Sequence, residues 1–479
     1  MVNRWFRLSR TELLLFVLLW ATYAYFYQAT SHNEAARFDQ MRVILQDHTL
    51  QINKYWWNSA DVIRYSKNGA AFIYPNKAPG MVLLTAIPFA LLWLCVLLLK
   101  AIGLPAWFEW HALTYLTTIF TVSLLSAAAA VAIYRVVMRM TANSYFSVLA
   151  VLGIWLGTLV FPFSTLFFSH QFTAALLAIA FYLLFEFARG EPMSFQQQLL
   201  VGAVTGMLMS FSVASEYPAA LPVALLSIYG AWAIKRSDLL AKPKLLLIAA
   251  WVCGMSIGAG TLLIYNFIAF GKLFYIPYEA YAAKAAYFSA TYSHGWLGLH
   301  WPSLQQFLHA LGTIAFSSQV GLLHLRVEHW FVYACNPVLW LVLPGLAVMI
   351  WKQEWRAETL LIIALIGVYV LFITSYGTSV YDWSGAVYFG SRHLIPLLPF
   401  LALPLCFGAR LMRFAFYPLL ALSIFYMLLD TAIEPRVPYP YENAARDMLV
   451  PDYVRGRFAQ NAGALFDDSR NVTRDSTAF

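Results

Sequence analysis

The chain has 479 residues, 61% of them hydrophobic and only 11% charged, with a formal net charge of +8. Soluble domains carry about 25% charged residues, so this composition excludes a soluble globular protein and points to a bilayer. The positive excess sits in short loops, where it sets topology rather than binding nucleic acid.

A membrane-crossing helix needs about 20 apolar residues. In chain order, such segments are predicted over 11–28, 110–136, 145–163, 169–188, 198–215, 217–234, 244–268, 331–350, 358–377, 393–409 and 411–430. The first follows Arg4, Arg7 and Arg10 like a secretory signal. It lacks a small-residue cleavage site and is read as a retained helix. Segment 79–101 is apolar enough to cross, yet the basic residues argue against it. With the N-terminus in the cytoplasm and 79–101 returning without crossing, Arg135, Arg139, Arg189, Lys235, Arg236, Lys242, Lys244, Lys352, Arg356, Arg410 and Arg413 all face the cytoplasm. The Lys/Arg bias of short loops sets orientation. The expected fold is therefore an all-α polytopic membrane protein of about eleven spans plus one re-entrant or interfacial helix.

That arrangement makes 1–430 a transmembrane domain. It has a long first outer loop over 31–80, a second over 271–329, and a short external tail over 431–479. The four cysteines lie scattered in apolar segments, with neither metal spacing nor a disulfide framework.

The residues able to do chemistry gather in the outer loops. Glu34 and Asp39 lie in NEAARFDQMRVIL, a stretch that predicts a short helix on the membrane surface. A partly desolvated carboxylate has a raised pKa, which suits a general base. The plainer reading is a solvated acid at a helix N-terminus, or a Glu34–Arg37 pair one turn apart. Asp61, after the Trp56–Trp57 pair, is a second acid or a partner of Arg64. Lys77, in YPNKAPG, is held by Pro75, Pro79 and Gly80 at headgroup level, where a compact charge suits phosphate; otherwise it snorkels. His170 stands alone in an apolar hairpin. Glu216, followed by Tyr217, separates two apolar helices and needs a partner or a cavity. Tyr265 and Asn266 end a span at the outer face. Arg392 and His393 open another, against the positive-inside trend, which suits phosphate binding unless Asp382 neutralises the arginine. Walker, dinucleotide, HExxH and nucleophile-elbow motifs are absent from the sequence.

Taken in order, NEAAR, YPNKAPG, FFSH, SEYP, IYNFIAFGK and WSGAVYFGSRHLIPLLPF resemble the GT-C-type membrane glycosyltransferases. That superfamily includes the protein O-mannosyltransferases and the lipid A aminoarabinose transferase; the likeness is nearest to a bacterial branch with a KAPG loop. The resemblance covers most of 1–430. It implies transfer of a sugar from a polyprenyl-phosphate-linked donor to a glycan, lipid or protein acceptor at the outer face of the inner membrane. It also implies an acidic base in the first outer loop, often within an Asp-Glu pair. Here that pair reads Asn33-Glu34, which leaves the base open between Glu34, Asp39 and Asp61, with Glu34 expected first. His170 falls where the family often has another acid. Lys77 matches a lysine that contacts the donor phosphate, and Arg392 would share that charge. Metal use varies in the superfamily; with no ligand cluster in the sequence, no cofactor is assigned and a divalent metal stays open. The competing expectation is a transporter or flippase of a lipid-linked saccharide, whose charged residues should line a midplane path in repeated halves; no repeat is visible.

Overall fold

The computed structural model describes residues 7–27, 31–67, 69–103, 106–282, 295–328, 331–385, 387, 389–436 and 441–458. Helices dominate. The crossing elements are α1 (Arg10–Tyr25), α4 (Glu109–Thr141), α5 (Ser144–Trp155), α6 (Ser169–Arg189), α7 (Phe195–Ser215), α8 (Tyr217–Arg236), α9 (Ala241–Phe270), α11 (Pro337–Trp351), α12 (Gln353–Thr374), α13 (Arg392–Leu411) and α14 (Arg413–Ile433). Between them lie α2 (His32–Gln46), α3 (Gly80–Ala101) and α10 (Leu304–Phe316). Each expected span has its helix. One boundary moves: the span expected from 331 starts at Pro337, because Phe331–Ala334 (β4) pairs instead with Leu325–Glu328 (β3).

The basic loop residues collect at one end of the bundle, and they are paired. Arg135 meets Glu12 at 2.7 Å, Arg139 meets Glu186 at 3.5 Å, and Arg189 meets the buried Glu358 at 3.0 Å. Arg410 donates to the Thr141 carbonyl there (3.0 Å). The outer-loop residues lie at the opposite end.

α3 belongs wholly to that opposite end. It is an unbroken helix of 22 residues, about 33 Å long, and could cross by length and composition. Its ends do not separate. Gly80 presses on the last turn of α7, where a Cβ would stand 2.4 Å from the carbonyl carbon of Ala214. Lys100, at the other end, pairs with Glu109 (2.7 Å) at the start of α4. α1 and α4 run antiparallel, with Glu12 beside Arg135, Trp20 Nε1 donating to Ile119 O (2.8 Å), and Tyr27 donating to Thr114 (3.2 Å). Glu109 therefore lies beyond the end of α1, at the same end as Gly80. Its course is that of a continuous helix with both ends at one end of the bundle.

Candidate functional site

The first outer loop builds one wall. α2 starts at a capping box: Glu34 Oε2 accepts the Ser31 amide (2.8 Å) and the Ser31 hydroxyl (3.0 Å). Its other oxygen, Oε1, accepts the Phe167 amide at 2.8 Å. Glu34 is 1% exposed. Burial raises its pKa against those hydrogen bonds, but both oxygens are already engaged in tying α2 to the α5–α6 connection. Glu34, expected to lead as the base, thus also holds the wall.

One turn on, the buried Arg37 points into the site. Its Nη1 donates to the backbone oxygen (3.1 Å) and the side-chain oxygen of Asn33, and its Nη2 donates to Ser169 Oγ (2.6 Å). Asn33 in turn donates to Asp61 Oδ2 at 3.1 Å. Asp61 and Lys77 are brought together by an antiparallel hairpin absent from the sequence expectations. β1 (Val62–Lys67) pairs with β2 (Ala70–Pro75), from Val62 opposite Pro75 to Lys67 opposite Ala70. Asp61 and Asn76 thus close the open end, where the Asn76 amide donates to Asp61 O (3.1 Å), Asn76 Nδ2 reaches Asp61 Oδ1 (3.3 Å), and Lys77 Nζ stands 3.5 Å from the same oxygen. Asp61 pairs with this lysine rather than with Arg64. Burial alone would raise the Asp61 pKa; Lys77 and Arg392, with Asn76 and Asn33, hold it well below the usual carboxylate range. Burial pushes the Lys77 ammonium down, opposed by Asp61.

The second wall comes from the helix ends. At the start of α6, Ser169 donates to Glu216 Oε1, and His170 Nδ1 lies 2.8 Å from that oxygen. Glu216 sits between α7 and α8, so its carboxylate links Arg37, through Ser169, to His170. The His170 ring is 5.8 Å from that of His393. His393 and Arg392 open α13 as a 3-10 stretch in which Pro396 and Pro399 remove backbone donors. Gly385, at φ 72°, gives them room: a Cβ there would lie 2.5 Å from Arg392 Nε.

Phe168 is the hub. The guanidiniums of Arg37 and Arg392 each lie 6.0 Å from its ring centroid, and that of Arg436 lies 4.9 Å away. Arg436, just beyond α14, was not foreseen. The signal was the one that exposed Arg392, an arginine at an outer helix end against the charge trend. Four cations thus surround the site, Arg37, Lys77, Arg392 and Arg436, facing Asp61 and Glu216, with Glu34 and Glu434 acting on Arg436. Among the described residues, His170 Nε2, Tyr217 Oη, Arg392 Nε, His393 Nε2 and Arg436 Nε are buried without a hydrogen-bond partner.

Three expected residues stand apart. Asp39 is fully buried, accepts only from Asn58 Nδ2 (3.2 and 3.3 Å), and has its pKa raised well above the ordinary value by burial. Asn266 Nδ2 ties down the carbonyls of Leu273 and Tyr275 (3.1 Å each). Tyr265 Oη accepts from Gln40 (2.8 Å) and packs with Tyr74 and Phe270. Asp382 is engaged by its own cap, accepting from Thr378 N, Ser379 N and Ser379 Oγ at 3.1, 3.1 and 2.8 Å. Among the described residues, no group of three or more His, Cys, Asp or Glu could hold a metal ion.

No family model and no curated protein matches the chain. Two crystal structures of ArnT from Cupriavidus metallidurans are similar to it. The one bound to undecaprenyl phosphate has a TM-score of 0.44 at 12% identity, and the apo one 0.43 at 13%. Each alignment covers 84% of this chain and 59% of ArnT, so the chain spans about three fifths of the length of those structures.

Proposed function

We propose that the protein is a membrane glycosyltransferase that moves a sugar from a polyprenyl-phosphate-linked donor to a glycan, lipid or protein acceptor. The basic end faces the cytoplasm and the site faces outward, in the inner membrane. The observation that carries this reading is the cluster of cations around Phe168 with donors left open. Asp61, Glu216, Glu34 and Glu434 all act on these cations, yet the Nε atoms of Arg392 and Arg436 are buried without a hydrogen-bond partner among the described residues. A lipid phosphate supplies oxygens for those Nε atoms.

The chemistry is a direct displacement. The acceptor hydroxyl or amine attacks the anomeric carbon, the bond from that carbon to the phosphate oxygen breaks, and the lipid phosphate leaves with the electron pair. Lys77, Arg392 and Arg436 stabilise the charge growing on the leaving oxygen. The proton goes to His170 Nε2. Glu216 fixes the ring through Nδ1, which leaves Nε2 as the acceptor, and imidazole is the side chain whose ordinary pKa best matches neutral pH. Asp61 is a weaker candidate, because Lys77 and Arg392 depress its basicity.

Mass spectrometry of envelope glycans, lipids and glycoproteins, with and without the protein, tests the reading: one sugar mass should vanish from one acceptor. Purified protein should also bind undecaprenyl phosphate, and Lys77→Met should weaken that binding at least tenfold. An unchanged envelope together with no binding would overturn the proposal.

A further inference from the structure

We infer that the protein carries a separate site for an anionic glycerophospholipid, at the opposite end of the bundle from Phe168. α9 packs tightly along α7, where Gly254 lies so close that a Cβ would stand 1.9 Å from Ala203 O. α8 packs instead on α6 and α12 and scarcely touches α9. The wedge between them is a cavity of about 570 Å³, floored by α6 and α7 and lined by apolar side chains such as Leu226, Leu247 and Trp251. It runs from Lys235 at the end of α8 down to Leu226, nine residues or about 14 Å deep, enough for the upper part of one acyl chain. Between spans, a dry apolar wedge of this size is filled by lipid, since water there finds no polar partners.

The rim selects the headgroup. Lys235 and Lys244 both line it, and Lys244 Nζ reaches across to the Lys235 backbone carbonyl (3.1 Å), which puts the Lys244 ammonium at the end of α8 beside Lys235. Basic pockets between helices at such a surface take anionic headgroups. Gln198 adds a second feature. Its Nε2 donates to Met193 O (3.1 Å), which fixes the amide orientation, while its Oε1 is buried without a partner among the described residues. A glycerol hydroxyl on the headgroup supplies that donor. Phosphate to the lysines, hydroxyl to Gln198 and one chain in the wedge together describe phosphatidylglycerol.

Native mass spectrometry of the full chain, titrated with dioleoyl phosphatidylglycerol or dioleoyl phosphatidylcholine, tests this. One phosphatidylglycerol should be retained about thirtyfold more tightly than phosphatidylcholine, the gain expected from two lysines beside an anionic headgroup. The Lys235→Ala/Lys244→Ala pair should remove the preference, and Lys242→Ala, outside the wedge, should keep it. Ala231→Trp, which fills the wedge, should abolish retention of either lipid while thermal unfolding stays cooperative. Equal retention of both lipids by the unmutated protein, or a preference that survives the double variant or the Trp variant, overturns the site.

Discussion

The two ends of the bundle handle charge in opposite ways. At the basic end three guanidiniums each have their own carboxylate: Arg135 with Glu12, Arg139 with Glu186, Arg189 with Glu358. Around Phe168, three guanidiniums and a lysine crowd among shared carboxylates, and polar atoms remain unbonded among the described residues. A matched pair fastens helices together; an unmatched group is ready for a ligand. The same residue type therefore does structural work at one end and, in our reading, chemistry at the other.

The comparison breaks hardest at the proton acceptor. His170→Gln keeps a polar side chain but not the basicity, so turnover should fall about 10²–10⁴-fold and the acidic limb of the pH–rate profile should disappear. Asp61→Asn, tested alongside, should cost less; the reverse order would give the role to Asp61. Arg392→Ala comes next. Losing one donor to a developing oxyanion costs about 10²–10³-fold, and here the fold should survive, because no matched partner is stranded. At the paired end the signs reverse. Glu358→Ala strands Arg189 and the Tyr229 hydroxyl that donates to Glu358 at 2.7 Å, so it should cost about 3 kcal/mol of stability, read by thermal unfolding, while turnover per folded molecule holds.

The smallest effect belongs to Asp39. Its folded pKa lies above its unfolded value, so this carboxyl takes up a proton on folding and disfavours folding once pH exceeds the unfolded value of about 3.9. Asp39→Asn keeps an oxygen for Asn58 and removes that penalty. Its melting temperature should exceed the parent's at pH 7, and the gain should vanish as pH falls towards 3. A lowered melting temperature at pH 7 would show that Asp39 is ionised and paired in the folded protein.

Much of this was legible in the sequence. Hydropathy located every span, because lipid demands long apolar runs whatever the packing. The charge trend singled out Arg392, and Pro-flanking singled out Lys77. The base was harder. Ser31 and Glu34 have the spacing of a capping box, so the sequence carried the clue that Glu34 also has a structural part. The 62–75 hairpin also had its sign, an Asn68–Gly69 dipeptide between β-prone runs, and without it Asp61 and Lys77 seem sixteen residues apart rather than neighbours. The links among Arg37, Ser169, Glu216 and His170 join three chain segments, and no local pattern encodes that.

α3 has a mechanical consequence. A helix some 33 Å long and 10 Å wide, lying at one end of the bundle, adds roughly 330 Å² of footprint to one leaflet and none to the other. Its outward side chains, Ile87, Leu91, Leu94 and Leu98, are all more than half exposed, as a float on acyl chains requires. On the reading that α3 lies in one interface, the molecule would be wider in that leaflet than in the other. In vesicles of graded radius it should concentrate where the leaflet bearing α3 is stretched, and an even distribution across radii would mean that α3 does not lie in the lipid.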